Sequence, residues 1–255
     1  QSGVPPDYFS DTGQLWGTPI YRWNIHKLNR FRWWRRRFLH HLNQVDLLRI
    51  DHFRALESYW AVPGQDLTAE NGIWKPSPGY ELLNALQSDL DGSLPLIAED
   101  LGIITPEVEK LRDHFHLSGM KVLQFAFNGD QKNPYLPSNI NGERWVVYTG
   151  THDNPTSKGW WDCLDHESKD RFRIECGCNV ESPSWQIIDL ALKTSARLAI
   201  VPLQDLLSLD DSARFNTPGS IENNWVWRLS KFDRILLESL NNYKNKAISY
   251  GRLKT

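Results

Sequence analysis

Three short apolar runs in this chain each end on acidic side chains, and this recurrence constrains the fold more than any other feature. The runs and the carboxylates that follow them are 45–50 with Asp51, 94–98 with Glu99, and 145–149 with Asp153. An apolar run that stops at charged residues is typical of a buried strand, and α/β enzymes carry their chemistry at the carboxyl ends of such strands. The carboxylates are about fifty residues apart, so one helix face cannot hold them. Only a fold that gathers parallel strand ends could bring them into a single site.

Each carboxylate taken alone has a simpler interpretation. A strand that ends in Asp commonly begins a loop or caps the next helix. Three carboxylates in the same context favour the catalytic interpretation instead. We therefore predict one site lined by Asp51, Glu99 and Asp153.

Strands and helices alternate along the chain, which predicts βα units around a parallel sheet. Five candidate strands lie near residues 46, 95, 122, 146 and 198, and the third is expected over 121–127. Residues 1–24 are expected to form a loop. Helices are predicted over 25–42, 80–90, 166–175 and 183–195, after Thr105-Pro106, and near the end of the chain. A closed (β/α)₈ barrel needs eight strands, so five are too few.

Length and charge exclude several classes of protein. The 255 residues can form one large domain with a substantial core. With 29 basic and 31 acidic residues, the net charge gives no argument for binding nucleic acid or a membrane surface. The basic run at 35–37 lies on one predicted helix whose apolar face packs elsewhere. No apolar run approaches the roughly 18 residues of a transmembrane helix.

The cysteines and the first residues bear on location. Three cysteines are an odd number without a disulfide or zinc pattern, so free thiols in a reducing compartment are expected, with no metal. The start lacks signal-peptide character, and the one methionine is Met120. We expect a cytoplasmic protein whose sequence, as given, begins inside a longer one. A plastid address, if one existed, would lie upstream of Gln1.

Tryptophan is unusually common, with 12 Trp beside 8 Tyr and 10 Phe. Flat aromatic faces suit the C–H faces of sugar rings, and the Trp N–H and Tyr O–H groups can bond sugar hydroxyls. The alternative for many of these side chains is ordinary core packing. The first 24 residues combine loop-forming residues with several aromatics, which favours a binding loop over a passive connection.

Several motifs resemble one known family. They are residues 7–16, 49–54, 98–102, 125–127, 133–137, 151–154 and 214–219. In this order they are similar to 4-α-glucanotransferases, the amylomaltases or disproportionating enzymes of glycoside hydrolase family 77 in the α-amylase clan. The resemblance implies an α/β fold of the (β/α)₈ TIM-barrel type, incomplete here and containing about strands 4 to 8. Residues 1–255 would then be the carboxyl-terminal part of a single catalytic barrel domain.

The same resemblance implies catalytic roles. Asp51 would be the nucleophile, Glu99 the acid/base and Asp153 a transition-state stabiliser. Cleaving an α-1,4-glucosidic bond with retention needs an ionised carboxylate and, about 5 Å away, a protonated carboxyl group. Arg49 can hold Asp51 ionised through a charge-assisted hydrogen bond. Burial and nearby negative charge would help Glu99 to keep its proton.

Further residues are expected to bind substrate. Transfer requires the glycosyl-enzyme to wait for a sugar hydroxyl while water is excluded, which suits an aromatic loop on the acceptor side. By resemblance the lid residues are Tyr8, Phe9 and Trp16, with Asp7 and Gln14 as polar contacts, and His152 and Asn216 as sugar contacts. Simple loop packing is the alternative for each of them.

The resulting hypothesis is an enzyme that transfers α-1,4-glucan segments between malto-oligosaccharides, with glucose as an acceptor and no cofactor. Nucleic-acid and membrane partners are not expected, and the oligomeric state stays open. Two alternatives remain. One is an α-glucan hydrolase of the same clan, and the other is an inactive fragment or a glucan-binding partner chain that lacks half of the barrel.

Overall fold

The computed structural model describes residues 1–7 and 10–253, so the lid predictions for Tyr8 and Phe9 lie outside the described residues. The chain forms two compact units, Gln1–Gly119 and Met120–Thr255. That residues 1–255 belong to a single catalytic domain stays a prediction.

In its described residues, the first unit combines a small antiparallel sheet with a parallel strand pair and four helices. Its elements in order are β1 (Ser2–Val4), β2 (Gln14–Leu15), α1 (Trp23–Leu28), α2 (Arg32–Leu42), β3 (Leu48–Ile50), a 3₁₀ helix (Phe53–Leu56), β4 (Ser58–Ala61), β5 (Ile73–Pro76), α3 (Gly79–Asp89), β6 (Leu96–Ala98) and α4 (Pro106–His114). The antiparallel sheet has the order β2-β1-β4-β5. The expectation of a loop over residues 1–24 was therefore wrong, because strands of two or three residues are too short for an alternating pattern to reveal.

β3 and β6 form a parallel pair, as the sequence predicted. Leu48 is opposite Leu96 and Ile50 is opposite Ala98. Both strands end at this last pair, so the residues that follow each strand leave the sheet at the same edge. This register places Asp51 and Glu99 at adjacent strand ends.

The predicted helix over 25–42 is two helices. Arg30 and Phe31 have positive φ angles of 49° and 54°, which end the α-helical path between α1 and α2. Phe31 and Phe38 are buried as the apolar pattern predicted, whereas Leu28 is exposed. Neither break residue is a glycine, so the sequence gives no signal for the interruption.

The core of the first unit lies around β3, β6 and helices α2 to α4. Its fully buried side chains are Phe53, Leu82, Leu83, Leu86, Val108 and Leu111. Gly79 starts α3 at a point where an added Cβ would lie 2.1 Å from the carbonyl oxygen of Leu56. Only glycine allows this close approach of the helix start to the turn after β3.

The second unit contains a three-stranded sheet and five helices in its described residues. The elements are β7 (Gly119–Val122), which spans the boundary, 3₁₀ helices (Leu123–Phe125 and Pro137–Asn139), β8 (Trp145–Tyr148), α5 (Ser157–Cys163), α6 (His166–Cys176), α7 (Pro183–Lys193), β9 (Leu198–Ile200), α8 (Leu203–Leu206), a 3₁₀ helix (Asp211–Ala213) and α9 (Arg234–Ser249). The sheet order is β7-β8-β9, and β8 and β9 are parallel. The predicted strand over 121–127 ends at Val122, because the apolar residues after it pack into the core rather than into a ladder.

Local signals explain several helix ends in this unit. Asp165 caps α6 by accepting a hydrogen bond from the amide of Ser168 at 2.6 Å, and the helix ends at Gly177, whose φ is 68°. Asp233 caps α9 in the same way through the amide of Leu236. The core is formed by buried residues that include Leu123, Val147, Phe172, Ile187 and Ala191.

The described residues also bear on the basic run, the cysteines and the membrane question. In the basic run, Arg35 forms an ion pair with Asp89, and Arg37 lies over the rings of Trp33 and Trp34. The three cysteines form no disulfide. Within residues 1–7 and 10–253, no helix is long and apolar enough to cross a membrane.

Candidate active site

Asp51 lies directly after β3 and is held by its neighbour on the same strand. An Nη atom of Arg49 is 2.7 Å from Oδ1 of Asp51. The Asp51 side chain is 80% exposed, whereas that of Arg49 is 31% exposed. Since the guanidinium is always charged, this contact is a charge-assisted hydrogen bond. The ion pair is the one that the sequence predicted.

Glu99 lies directly after β6 in a different environment. Its Oε2 accepts a hydrogen bond from the amide of His52 at 2.6 Å, and its Oε1 accepts one from the amide of Leu101 at 3.1 Å. Burial raises the pKa of the Glu99 carboxyl, and the negative charge of Asp51 adds to this; the two amide hydrogen bonds and Arg49 act in the opposite direction. The net shift is upward, in the direction expected for an acid that keeps its proton.

The two carboxylates therefore share one edge of a parallel strand pair. Neighbouring strands lie roughly 4.8 Å apart. The amide of Glu99 also donates to the carbonyl of Ile50 at 3.0 Å, which extends the pairing one residue past β6. An exposed, ion-paired carboxylate and a partly buried carboxyl with a raised pKa are the combination that nucleophile and acid/base roles require.

His52 separates Asp51 from the turn that follows, and sequence reasoning did not assign it a role. Its backbone is left-handed, with φ 49° and ψ 54°. Burial lowers the pKa of its imidazole to about 4, and the charge of Arg54 adds to this effect, while Asp51 opposes it. The imidazole is therefore neutral near pH 7. Histidine is enriched among left-handed residues, but the sequence gives no sign that this one is left-handed.

The predicted lid loop contacts this part of the first unit through Trp16. The ring of Trp16 packs edge-on against the His52 imidazole, with 4.8 Å between centroids and 89° between planes. Its indole N–H donates to Oε1 of Gln14 at 3.1 Å. Asp7 accepts a hydrogen bond from the amide of Ser10 at 3.1 Å, within its own turn. Gln14 and Asp7 thus contact residues of their own loop, whereas Trp16 also contacts His52. The sugar contacts of all three stay predictions.

Asp153 belongs to the second unit, in the loop after β8. Its Oδ1 accepts a hydrogen bond from the side-chain amide of Asn216 at 2.6 Å, and its backbone carbonyl accepts one from Arg214 at 2.6 Å. Nε2 of His152 lies 3.3 Å from its Oδ2. The ring centroids of His152 and Trp225 are 5.2 Å apart. The structure therefore brings together three residues that the sequence predicted, Asp153, His152 and Asn216.

A buried carboxylate anchors both ends of the loop that carries His152 and Asp153. Asp205 is 1% exposed and accepts hydrogen bonds from the hydroxyl of Thr149 at 2.6 Å and from the amide and hydroxyl of Ser157 at 2.7 Å. Burial raises its pKa, and these three donors oppose that rise. The amide of Thr156 donates to Asp211 at 3.0 Å. Sequence reasoning missed Asp205, since a carboxylate followed by an apolar run has no distinguishing pattern.

Comparison with known proteins agrees with these motifs. The family model described as 4-alpha-glucanotransferase, of glycoside hydrolase family 77, matches residues 1–234. The chain belongs to this family. It is 53% identical to the 4-alpha-glucanotransferase of Synechocystis sp. over 89% of this chain and 45% of the relative. The corresponding values for the Thermus thermophilus 4-alpha-glucanotransferase are 48% identity, 89% and 47%. The chain thus spans about half the length of the curated relatives that it matches.

A solved structure gives the fold type. The amylomaltase of Streptococcus agalactiae, determined in complex with acarbose, matches 99% of this chain and 51% of its own with a TM-score of 0.92 at 35% identity. This likeness supports an α/β fold of the TIM-barrel type, as the motifs implied. The family resemblance predicted from the sequence is confirmed.

Proposed function

We propose that the whole protein is a 4-α-glucanotransferase that moves α-1,4-glucan segments between malto-oligosaccharides by a retaining double displacement. The proposal includes the expectation that residues 1–255 supply about strands 4 to 8 of one catalytic barrel domain. The observation that carries it is the pair of carboxyl groups at the ends of β3 and β6. Their different environments match the two roles that this reaction needs.

In the first step, Asp51 would attack the anomeric carbon while Glu99 donates its proton to the leaving glucosyl oxygen. The bond to the leaving sugar breaks as the bond to Oδ of Asp51 forms. In the second step, Glu99 would take the proton of an acceptor hydroxyl, which then displaces Asp51. The ion pair with Arg49 and the raised pKa of Glu99 support this assignment.

Asp153 would stabilise the distorted sugar of the transition state, with His152 and Asn216 beside it. The hydrogen bond from Asn216 and the close approach of His152 leave the Asp153 carboxylate oriented by two side chains. Its side chain is 47% exposed, which leaves it accessible to a ligand. This arrangement supports a binding role that needs a fixed carboxylate.

Acceptor binding is assigned to the first loop. Trp16 and Gln14 form a hydrogen-bonded pair, and Trp16 is 41% exposed. A flat ring in this position suits the C–H face of an acceptor sugar such as glucose or maltose. Asp7, Tyr8 and Phe9 complete the proposed acceptor loop. A cytoplasmic location, or a plastid one if an upstream address exists, stays a prediction.

Product analysis from maltotriose tests the activity. The assay uses the full-length native protein, since this chain spans about half the length of its curated relatives. A ladder of longer and shorter oligosaccharides without net gain of reducing ends is the expected result. Asp51→Asn should abolish the ladder, and a variant that still transfers would contradict the nucleophile assignment.

The same assay separates the two alternatives. A net gain of reducing ends without longer products would indicate an α-glucan hydrolase. Binding of maltoheptaose without turnover would indicate a glucan-binding partner chain. The intact mass of the native protein then shows whether this chain is the whole polypeptide or part of a polypeptide about twice its size.

A further inference from the structure

The chain from the last residue of β3, Ile50, to the first residue of the following 3₁₀ helix, Phe53, forms three hydrogen bonds with Glu99. The amide of Glu99 donates to the carbonyl of Ile50 at 3.0 Å, and the amide of Phe53 donates to the carbonyl of Glu99 at 3.0 Å. Between these two backbone contacts, the amide of His52 donates to the Glu99 carboxyl group at 2.6 Å. Three of four consecutive residues, Ile50, His52 and Phe53, thus hold both the backbone and the side chain of Glu99.

The left-handed backbone of His52 lies in the middle of this segment. Its φ of 49° turns the chain out of β3 directly into the 3₁₀ helix. Glycine and asparagine adopt this conformation readily, whereas β-branched residues are strongly disfavoured in it. A change of conformation here would move the His52 amide relative to Ile50 and Phe53. The hydrogen bond to the Glu99 carboxyl group therefore depends on this one backbone conformation.

The imidazole of His52 makes a different set of contacts. Its Nε2 is buried and has no hydrogen-bond partner among the described residues, and its ring packs against Trp16. The charged groups that act on the imidazole are Asp51 and Arg54. Those that act on Glu99 are Asp51 and Arg49, besides the amides of His52 and Leu101. The imidazole of His52 thus contacts Trp16, whereas its backbone amide contacts Glu99.

We propose that His52 is a positioning residue that acts through its left-handed backbone, whose amide holds the carboxyl group of Glu99, rather than through its imidazole. The role of Glu99 as the acid/base rests on the proposed function. The contact itself does not, so it can be tested on the 255-residue chain without any measurement of activity.

The test is an NMR titration of the 255-residue chain. The ¹³Cδ resonance of Glu99, assigned by its loss in Glu99→Gln, reports the pKa of the carboxyl group. The amide proton of residue 52 should shift through the same pKa, because it donates to the group that titrates, and this shift should vanish in Glu99→Gln. An amide that does not follow the Glu99 titration would overturn the proposal.

Two variants separate the backbone from the imidazole. His52→Gly keeps the amide and permits the left-handed conformation, so the pKa of Glu99 should stay or fall as water replaces the ring. His52→Val disfavours that conformation, so loss of the donor should raise the pKa of Glu99 by roughly one unit. An unchanged pKa in His52→Val, or an equal rise in His52→Gly, would overturn the proposal.

A milder pair covers the case in which His52→Val fails to fold. His52→Asn and His52→Ala both remove the imidazole, but asparagine tolerates the left-handed conformation better than alanine. The pKa of Glu99 should therefore be higher in His52→Ala than in His52→Asn. Equal values in the two variants would overturn the proposal. If the wild-type whole protein shows the expected Glu99 titration but does not transfer glucan segments, that result would count against the proposed function and not against the role of His52.

Discussion

Two regions of the molecule hold their acidic residues with different groups. One is the edge of the first unit where β3 and β6 end, and the other is the loop after β8 in the second unit. At the first, the backbone amides of His52 and Leu101 donate to the Glu99 carboxyl group, and one neighbouring side chain, Arg49, forms an ion pair with Asp51. At the second, Asp153 is held by side chains about sixty residues further along the chain. The first region holds its carboxyl groups mainly with backbone amides at strand ends, and the second holds its carboxylate with side chains.

This difference predicts different responses to mutation. Where backbone amides orient a carboxyl group, a change to that group affects its chemistry and leaves its surroundings in place. Where buried side chains such as Asp205 anchor a loop, the loss of one contact should disturb the loop as a whole.

The strongest test of the first region is Glu99→Gln, which removes the titrating proton but preserves the size of the side chain. Transfer from maltotriose should fall by about 10²- to 10⁴-fold, the usual contribution of general acid–base catalysis. The free energy of unfolding, measured by urea denaturation, should fall by only about 1 kcal/mol, because the glutamine oxygen can replace just one of the two carboxyl acceptors. Glu109→Gln, at an exposed glutamate of α4, is the matched control and should transfer normally.

For the second region, Asp205→Ala tests the anchoring of the loop. Removing the buried carboxylate leaves the donors of Thr149 and Ser157 without their acceptor. The free energy of unfolding should fall by about 3 kcal/mol, measured by urea denaturation. Hydrogen exchange in residues 149–157 should speed up. Asp210→Ala removes an exposed cap and should have a much smaller effect; an equal effect would contradict the anchoring role.

The buried imidazole of His52 predicts a pH dependence of stability in the first region. Its pKa is about 4 in the folded chain, below the ordinary 6.5, so folding favours the neutral form. The stabilisation is fully present above pH 6.5 and is lost as the pH falls towards 4. The loss is on the order of 2–3 kcal/mol at about 1.4 kcal/mol per unit.

Urea denaturation of wild type and His52→Asn between pH 7 and 4 measures the contribution of the imidazole to the free energy of unfolding. Glu99 contributes with the opposite sign, but its contribution is common to both proteins. The difference in free energy of unfolding should shrink as the pH falls. His166→Asn, at a side chain that is 93% exposed, should show no such trend. A constant difference for His52→Asn would contradict a buried neutral imidazole.

The smallest expected effect is that of Asn216→Ala in the second region. It removes the hydrogen bond to Oδ1 of Asp153 but leaves the contact with His152. A loss of about 1 kcal/mol of transition-state stabilisation corresponds to roughly 5-fold lower kcat/KM for maltotriose. Asn224→Ala, in the same loop but bonded to Ser220, is the control. Equal losses in the two variants would mean that the loop, not the contact with Asp153, matters.

Much of the fold was predictable because apolar periodicity is local. The five predicted strands are present as β3, β6, β7, β8 and β9, and the helices from α3 onward that the sequence predicted begin within a few residues of their expected starts. The break at Arg30 and Phe31 was not predictable, since left-handed residues other than glycine lack a reliable signal. The two-residue strand β2 was also missed, because its pairing depends on β1 rather than on its own pattern.

The sequence by itself determined which residues end the strands, the ion pair of Arg49 with Asp51, and the family to which the chain belongs. These depend on residue identity and on spacings of a few positions along one strand. Tertiary structure alone decided that the amide of His52 holds Glu99, that Asp205 anchors the loop of Asp153, and that Arg214 reaches the carbonyl of Asp153. The physical reason is that hydrogen bonds and burial depend on distance in space, and residues fifty positions apart carry no mark of the partner they will meet.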